Sequence, residues 1–200
     1  MTAAPSPESD ALRAAVAARE LLNSYADPLW HAGSAEPWVA DLLGALIVAN
    51  DTRVAIEIGG FEGYTSAHMK RALARLPHVT ELTICEIDLG RANAVHAALE
   101  AVDAPAVHCR VVVEDSHAWL PTLAPASVDF VWLDGNHEVA HVAREVELLL
   151  PAMRPGGLIC GHDVHGVCEL WRVFAPHGIA LDLPRLGPAG GIGIIQVSRT

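Results

Sequence analysis

The stretch VAIEIGGFEGYTS, residues 54–66, decides the fold. It begins as a short β-branched run, continues into a loop with glycines at positions 59, 60 and 63, and then becomes helical in character. Glycine permits positive φ and lets a ligand approach the backbone closely, so this strand–loop–helix unit predicts a binding loop. The glycine spacing does not match the GxGxxG fingerprint of dinucleotide-binding proteins.

On either side of this unit, short apolar runs alternate with helical segments, a pattern typical of a parallel sheet covered by helices on both faces. We predict strands at 54–58, 81–85, 107–113, 128–133, 157–160, 179–183 and 192–197. We predict helices at 10–26, 36–49, 64–76, 89–102, 116–123, 138–153 and 167–175. The last two strands are connected by PRLGPAGG, without a helix between them, so we expect these two strands to pair antiparallel.

Composition limits the classes of protein that this chain can be. Its 200 residues, 52% of them hydrophobic, suit one domain over residues 11–200, after ten residues that we expect to be disordered. A formal charge of −11 argues against nucleic acid as a partner. The longest apolar run is too short to span a membrane, and the N-terminus does not resemble a secretory signal, so we expect a cytoplasmic protein. The four cysteines lack CxxC spacing and are expected to be reduced.

Acidic residues end the second and third predicted strands, where ligands of such sheets bind. Glu86 closes the second strand, and a carboxylate there can accept hydrogen bonds from both hydroxyls of a ribose. The third strand runs into Glu114, Asp115 and Ser116, which could contact an adenine. Asp115 or Ser116 could instead cap the following helix. Together with the glycine loop, these residues suggest a nucleoside ligand.

A second polar group follows strands four and five, which are neighbours if the strand order runs four then five. Asp134 ends strand four, and His162 and Asp163 end strand five. Two carboxylates and an imidazole suit a divalent cation. The oxygen ligands favour Mg²⁺ or Mn²⁺, and the histidine leaves room for iron or zinc.

His137 is the candidate general base, because an ordinary histidine pKa near 6.5 suits removal of a hydroxyl proton at neutral pH. Alternatively, it could simply open the next helix. His137, Glu138 and His141 also form the HExxH pattern of zinc peptidases. That pattern begins here directly after a strand and lacks a third ligand at a recognised spacing, which argues against a peptidase.

The segments EIGGFEGYTS, ICEID, VVVEDS, FVWLDGNH and RPGGLICGHDV resemble, in order and spacing, the motifs of class I S-adenosylmethionine-dependent methyltransferases. The resemblance covers residues 53–164. Within that superfamily, the glycine loop is most similar to the catechol O-methyltransferase type. The DGxH and HD motifs are most similar to those of bacterial sugar and antibiotic O-methyltransferases.

The resemblance implies an α/β, doubly wound, Rossmann-like sheet of seven strands in the order 3-2-1-4-5-7-6, with strand 7 antiparallel. It implies that Glu57, Gly59, Gly60, Phe61 and Gly63 hold the methionine part of the cofactor, Thr65 its carboxylate, Glu86 its ribose, Asp115 and Ser116 its adenine, and Asp134 its sulfonium end. It also implies a divalent metal, such as Mg²⁺, on Asp134, His162 and Asp163. His162 departs from the catechol type, which has an acid there, and this departure puts the metal in question.

The implied activity is methyl transfer to a hydroxyl of a small molecule, such as a sugar, a phenol or a natural-product intermediate, with His137 and Asp134 as catalytic residues. A non-catalytic module that binds S-adenosylmethionine or a nucleoside is the alternative from another class. The amphipathic N-terminal helix offers a surface for a homodimer.

Overall fold

A computed structural model describes residues 33–165, 168–181 and 190–198. Its helices are α1 (Pro37–Ala49), α2 (Tyr64–Leu73), α3 (Leu89–Glu100), α4 (Ser116–Trp119), α5 (Val139–Leu149) and α6 (Trp171–Phe174). Its strands are β1 (Val54–Ile58), β2 (Thr80–Glu86), β3 (Val107–Val113), β4 (Val128–Leu133), β5 (Met153–His165), β6 (Ile179–Leu181) and β7 (Gly190–Gln196). A 3₁₀ turn, Leu120–Thr122, follows α4.

The strands form one sheet in the order β3-β2-β1-β4-β5-β7-β6. The first five strands in this order are parallel to one another, and β7 runs antiparallel to both β5 and β6. This topology confirms the predicted fold class and the antiparallel pairing of the last two strands. A parallel sheet requires helical crossovers, which cover both of its faces.

The core lies on both faces of the sheet, and the central strand β1 contributes to each side. Ala55 packs in the cluster that includes α1, α2 and α3, whereas Ile56 and Ile58 pack in the cluster that includes α5 and α6. Alternate side chains of a strand point to opposite faces, so the apolar run of β1 is buried on both sides. β1 pairs with β2 on one side and β4 on the other, which puts the glycine loop in the middle of the sheet edge.

Two predicted boundaries were wrong at the junction of α5 and β5. The helix was predicted to reach Met153, but it ends at Leu149, because Pro151 has no N–H to continue the helical hydrogen bonds. The strand was predicted to begin after Pro155 and Gly156, yet β5 begins at Met153 and contains both residues. The register between β4 and β5 shifts between Val128 and Phe130, and this irregularity accommodates the proline in the strand.

Several sequence predictions fall outside the described residues. These are the disordered first ten residues, the helix at 10–26 and most of the loop between the last two strands. Among the described cysteines, all four are free, as expected. None of the helices in the described ranges has both the length and the apolar character needed to cross a bilayer.

Candidate active site

A cleft of about 610 Å³ opens at the carboxyl ends of the five parallel strands β1 to β5. Most of the predicted site residues line it: Gly59, Gly60, Phe61, Thr65, Glu86, Asp115, Ser116, Asp134, His137, His162 and Asp163. Two predicted cofactor residues, Glu57 and Gly63, do not line the cleft. The topology thus gathers residues from the carboxyl ends of five strands into one cavity, as expected for an open α/β sheet.

Gly59 marks the closest approach of two strand ends. Its φ is +87°, and a Cβ built there would lie 2.4 Å from Cα of Gly135 and 2.6 Å from the carbonyl oxygen of Asp134. A hydrogen bond from the Asp134 amide to the Ile58 carbonyl, 2.9 Å, holds the two strand ends together. A side chain at position 59 would therefore separate the glycine loop from the loop that carries Asp134.

The Glu86 carboxylate holds the glycine loop in place. Its Oε2 accepts hydrogen bonds from the backbone N–H groups of Gly60 and Phe61, each 3.0 Å long, and its Oε1 accepts one from the Asp88 amide at 2.9 Å. Phe61 has a positive φ of +48°, which is uncommon for a residue with a side chain. Glu86 thus orients the loop, and Oε1 keeps acceptor capacity on the cleft side for a further donor.

Glu57 lies beneath the loop and not in the cleft. It is buried, and its carboxylate accepts a hydrogen bond from the Ser66 hydroxyl at the start of α2. Burial raises the pKa of Glu57 well above its ordinary value, against the opposing effect of the Ser66 hydrogen bond. The side chain therefore ties β1 to α2. Gly63, with a φ of +82°, allows the turn into the same helix.

At the end of β3, Asp115 caps α4. Its Oδ1 accepts hydrogen bonds from the backbone N–H groups of His117 at 2.9 Å and Ala118 at 3.3 Å. This is the capping arrangement that the sequence left open for Asp115. Ser116 lies beside it and donates its hydroxyl to Oε1 of Glu145 at 2.6 Å. Both residues still line the cleft.

Side chains from the loop after β4 and from the last residues of β5 form a cluster that we name the Asp134 cluster: Asp134, His137, His162 and Asp163. His162 and Asp163 were predicted to follow strand five, but β5 continues to His165 and contains both. Nδ1 of His162 lies 3.1 Å from Oδ1 of Asp134 and 3.8 Å from Oδ1 of Asp163. Nε2 of His137 lies 3.5 Å from both Oδ1 of Asp134 and Oδ2 of Asp163. The structure therefore brings the three predicted metal ligands and the predicted base to one point.

Glu36 completes this cluster and was missed by sequence reasoning. Its Oε2 lies 2.9 Å from Nε2 of His162, across 126 positions of the chain. Glu36 immediately precedes α1, far from any strand end, and no motif marks it. An acid before the proline of a helix N-terminus is a common pattern, so only the tertiary contact reveals its place.

The charges of the cluster are strongly coupled. Burial opposes the ionisation of Asp134, but the close approach of His137 and His162 outweighs burial and lowers its pKa. Burial likewise disfavours a charged His162, yet its hydrogen bonds to Asp134 and Glu36 raise its pKa to about 11. The close approach of Asp134 is also the main cause that raises the pKa of His137.

The backbone at this point is unusual. Asp163 has a positive φ of +51°, and the pairing of β5 with β7 shifts register between His162 and His165. Such irregularities re-aim side chains at the ends of strands, and strained residues of this kind concentrate at functional sites. Here they turn both His162 and Asp163 toward the cleft.

A divalent cation fits the donor set of the Asp134 cluster. One potential ligand atom from each of Asp134, His137 and His162 lies within 4.8 Å of the other two. Nε2 of His137 is buried and has no hydrogen-bond partner of good geometry among the described residues. A metal-binding histidine commonly donates its second N–H to a carboxylate, which is the contact that His162 makes with Glu36.

The HExxH pattern does not form a peptidase site. α5 begins at Val139, so His137 lies before the helix and only His141 lies on it. A zinc peptidase needs both histidines on one helical face. His137 instead joins the Asp134 cluster, and His141 contacts Glu145 of its own helix.

A family model described as "Methyltransferase domain" matches residues 56–164, which is more than half of the chain. A search of curated proteins finds no match. The O-methyltransferase TomG of Streptomyces achromogenes, involved in tomaymycin synthesis and solved with S-adenosylmethionine, is similar at a TM-score of 0.66 and 22% identity, over 92% of this chain and 89% of that chain.

Two further solved structures are similar. The Bacillus cereus O-methyltransferase in complex with S-adenosylhomocysteine has a TM-score of 0.64 and 19% identity, over 90% of each chain. The S-adenosylhomocysteine-bound methyltransferase PaMTH1 of Podospora anserina has a TM-score of 0.68 and 14% identity, over 98% of this chain and 99% of that chain. The chain therefore belongs to the methyltransferase domain family, and its fold is that of class I S-adenosylmethionine-dependent methyltransferases.

Proposed function

We propose that this protein transfers the methyl group of S-adenosylmethionine to a hydroxyl of a small molecule and uses a divalent metal ion to do so. The observation that carries the proposal is the joint opening of the glycine loop and the Asp134 cluster into one cleft. TomG and the Bacillus cereus protein are O-methyltransferases solved with the cofactor or its product bound, which supports the oxygen acceptor.

The cleft suits the cofactor from one end to the other. Gly59 and Gly60 line the cleft with backbone, and a Cβ at Gly60 would collide with Val95 at 2.6 Å, so only glycine lets the loop pack this closely. Glu86 supplies an acceptor for the ribose hydroxyls beside that loop. Thr65, at the start of α2, lines the same cleft and is the candidate for the cofactor carboxylate. Asp115 and Ser116 lie where the adenine is expected.

The chain's own residues provide the proton transfer. His137 is about one-third exposed at the lip of the cleft, and its Nε2 lies 3.5 Å from a carboxylate oxygen of both Asp134 and Asp163. Neutral His137 accepts the proton of the acceptor hydroxyl as the oxygen attacks, and the neighbouring carboxylates stabilise the imidazolium that forms. The remaining gain in rate comes from holding the reactants in line.

Asp134, His162 and Asp163 would hold the metal, with Glu36 fixing the ring of His162. When bound, the ion would lower the pKa of the acceptor hydroxyl, and S-adenosylmethionine supplies an activated methyl group. The carboxylates favour Mg²⁺ or Mn²⁺, whereas the imidazole admits zinc or iron. Sugars, phenols and hydroxylated natural-product intermediates are the acceptor classes that we propose to test.

Calorimetric titration with S-adenosylhomocysteine, with and without Mg²⁺ after chelation, tests the proposal. We expect micromolar binding, strengthened by the metal, and S-adenosylhomocysteine release when S-adenosylmethionine is incubated with a suitable hydroxyl acceptor. Binding without turnover across the acceptor classes would favour a non-catalytic module. No binding under any condition would refute the proposal.

Replacing Glu36 by glutamine is expected to weaken Mn²⁺ binding by about tenfold, because outer-shell carboxylates orient a ligating histidine and raise its basicity. The measurement is a Mn²⁺ titration in which electron paramagnetic resonance detects the free ion. Asp41→Asn, on the exposed side of α1, is the matched control. Equal Mn²⁺ affinity in Glu36→Gln and wild type would show that Glu36 does not act through the metal site.

A further inference from the structure

A second group of metal-binding side chains lies outside the Asp134 cluster and shares no residue with it. It consists of His117 from α4 and His141 and Glu145 from α5. One nitrogen of each histidine and one carboxylate oxygen lie within 4.8 Å of one another. We propose that these three side chains form a zinc site that joins α4 to α5 in the wall of the cleft, which His141 and Glu145 line. The proposal does not depend on methyl transfer.

The spacing on α5 directs two ligands to one side. His141 and Glu145 are four residues apart, so they lie one turn apart on the same helical face. Nε2 of His141 lies 3.2 Å from Oε1 of Glu145. The imidazole of His117 stacks on that of His141, with ring centroids 4.0 Å apart and an angle of 22° between the planes.

Glu145 carries an unsatisfied oxygen. Its side chain is only 1% exposed. Oε1 accepts the hydroxyl of Ser116, but Oε2 is buried and has no hydrogen-bond partner among the described residues. A buried carboxylate oxygen without a partner is costly, and buried charges are normally paired or coordinate metals. A bound cation would satisfy it.

The tautomer of His117 is set by a backbone contact. Its Nε2 lies 3.2 Å from the carbonyl oxygen of His141, and it can only donate a proton to that oxygen. In the neutral ring, the proton on Nε2 leaves Nδ1 with its lone pair. Ligating histidines usually donate their other N–H to such a carbonyl or to a carboxylate, so the His117 contact has the form of an outer-shell contact.

The donor set separates this group from the Asp134 cluster. Two imidazoles and one carboxylate are the ligands of many zinc sites, and a fourth position is left for water. Mg²⁺ prefers oxygen ligands, so it should bind weakly to this group, in which two of the three ligands are imidazole nitrogens. Both histidines are half-buried, which leaves the ion a route of entry. α4 and α5 follow different strands, so an ion bound by both helices would hold them together. It would thereby fix the position of Ser116, which lines the cleft and donates a hydrogen bond to Glu145.

The test isolates this site by removing the other one. In a His137→Gln/His162→Gln variant, which removes both imidazoles of the Asp134 cluster, we expect one equivalent of zinc, measured by competition with a chromophoric chelator. Adding His117→Ala should weaken zinc binding at least about tenfold, the lower end of what loss of a ligand or its support costs. Adding His96→Ala, an exposed histidine of α3, should leave it unchanged.

Cobalt gives a second readout in the same double-variant background. Co²⁺ at a two-histidine, one-carboxylate site should produce visible d–d absorption that adding His117→Ala or Glu145→Gln abolishes. Circular dichroism establishes that each variant is folded, and zinc should raise the melting temperature of the double variant but not of its His117→Ala derivative. Zinc binding that survives His117→Ala in the double-variant background, or no zinc binding there at all, would overturn the proposal.

Discussion

Replacing His137 by alanine is expected to lower kcat by about 10²–10⁴-fold, the usual contribution of a positioned general base. The affinity for S-adenosylhomocysteine should change little, because within the described part of the chain His137 contacts Asp134 and Asp163 and makes no hydrogen bond to the glycine loop or to Glu86. The measurement is a steady-state assay of S-adenosylhomocysteine release, together with calorimetric titration. His96→Ala, on the exposed side of α3, is the matched control and should keep the wild-type rate.

The pH dependence of wild type provides a second check on His137. The close approach of Asp134 raises the pKa of His137 above the 6.5 of an ordinary histidine. A base must be neutral to accept a proton, so the rate should rise with pH and level off only above that raised pKa. His137→Ala should lose this limb of the profile.

Two outcomes would contradict the role of His137 as base. An unchanged kcat in His137→Ala would remove it from the reaction. A loss of rate that is matched by an equal loss of divalent-metal affinity, and that saturating metal restores, would make His137 a ligand of the Asp134 cluster instead.

Replacing Glu86 by glutamine is expected to raise the Kd for S-adenosylhomocysteine by about 10–100-fold, since a hydrogen bond to a charged group contributes about 1.5–3 kcal/mol. The amide keeps the size of the side chain but turns one acceptor oxygen into a donor. That donor would face either the N–H groups of Gly60 and Phe61 or the ribose hydroxyls. Calorimetric titration measures the change directly.

Glu81→Gln is the matched control, because Glu81 lies on the same strand with an exposed side chain. Near-normal kcat at saturating cofactor should accompany the weak binding of Glu86→Gln, since Glu86 does not contact the Asp134 cluster. Wild-type cofactor affinity in a folded Glu86→Gln variant would refute the assignment of Glu86 to the ribose.

The motifs mark Glu57, Glu86 and Asp115 but do not determine which groups these side chains contact. Glu57 and Glu86 both belong to the strand ends that the motifs mark, yet one points beneath the glycine loop and the other supports it from the cleft side. Successive side chains of a strand point to opposite faces of the sheet, and a motif does not specify which residues each side chain will contact on its face. Asp115 similarly combines a capping role with a place in the cleft wall.

By itself, the sequence determined the order of strands and helices and the edge of the sheet at which chemistry occurs. Apolar runs of period two and helical segments are local signals, and parallel strands must carry their following loops to one edge. For that reason, the sequence alone groups Asp134, His137, His162 and Asp163.

Only the tertiary structure decided which side chains meet. It brought Glu36 to His162 from 126 positions away, and it separated His137 from His141 by starting α5 between them. It also stacked His117 on His141, although they belong to different helices. Contacts between distant segments depend on how helices pack on the sheet and on the direction of each side chain, and neither leaves a periodic trace in the sequence.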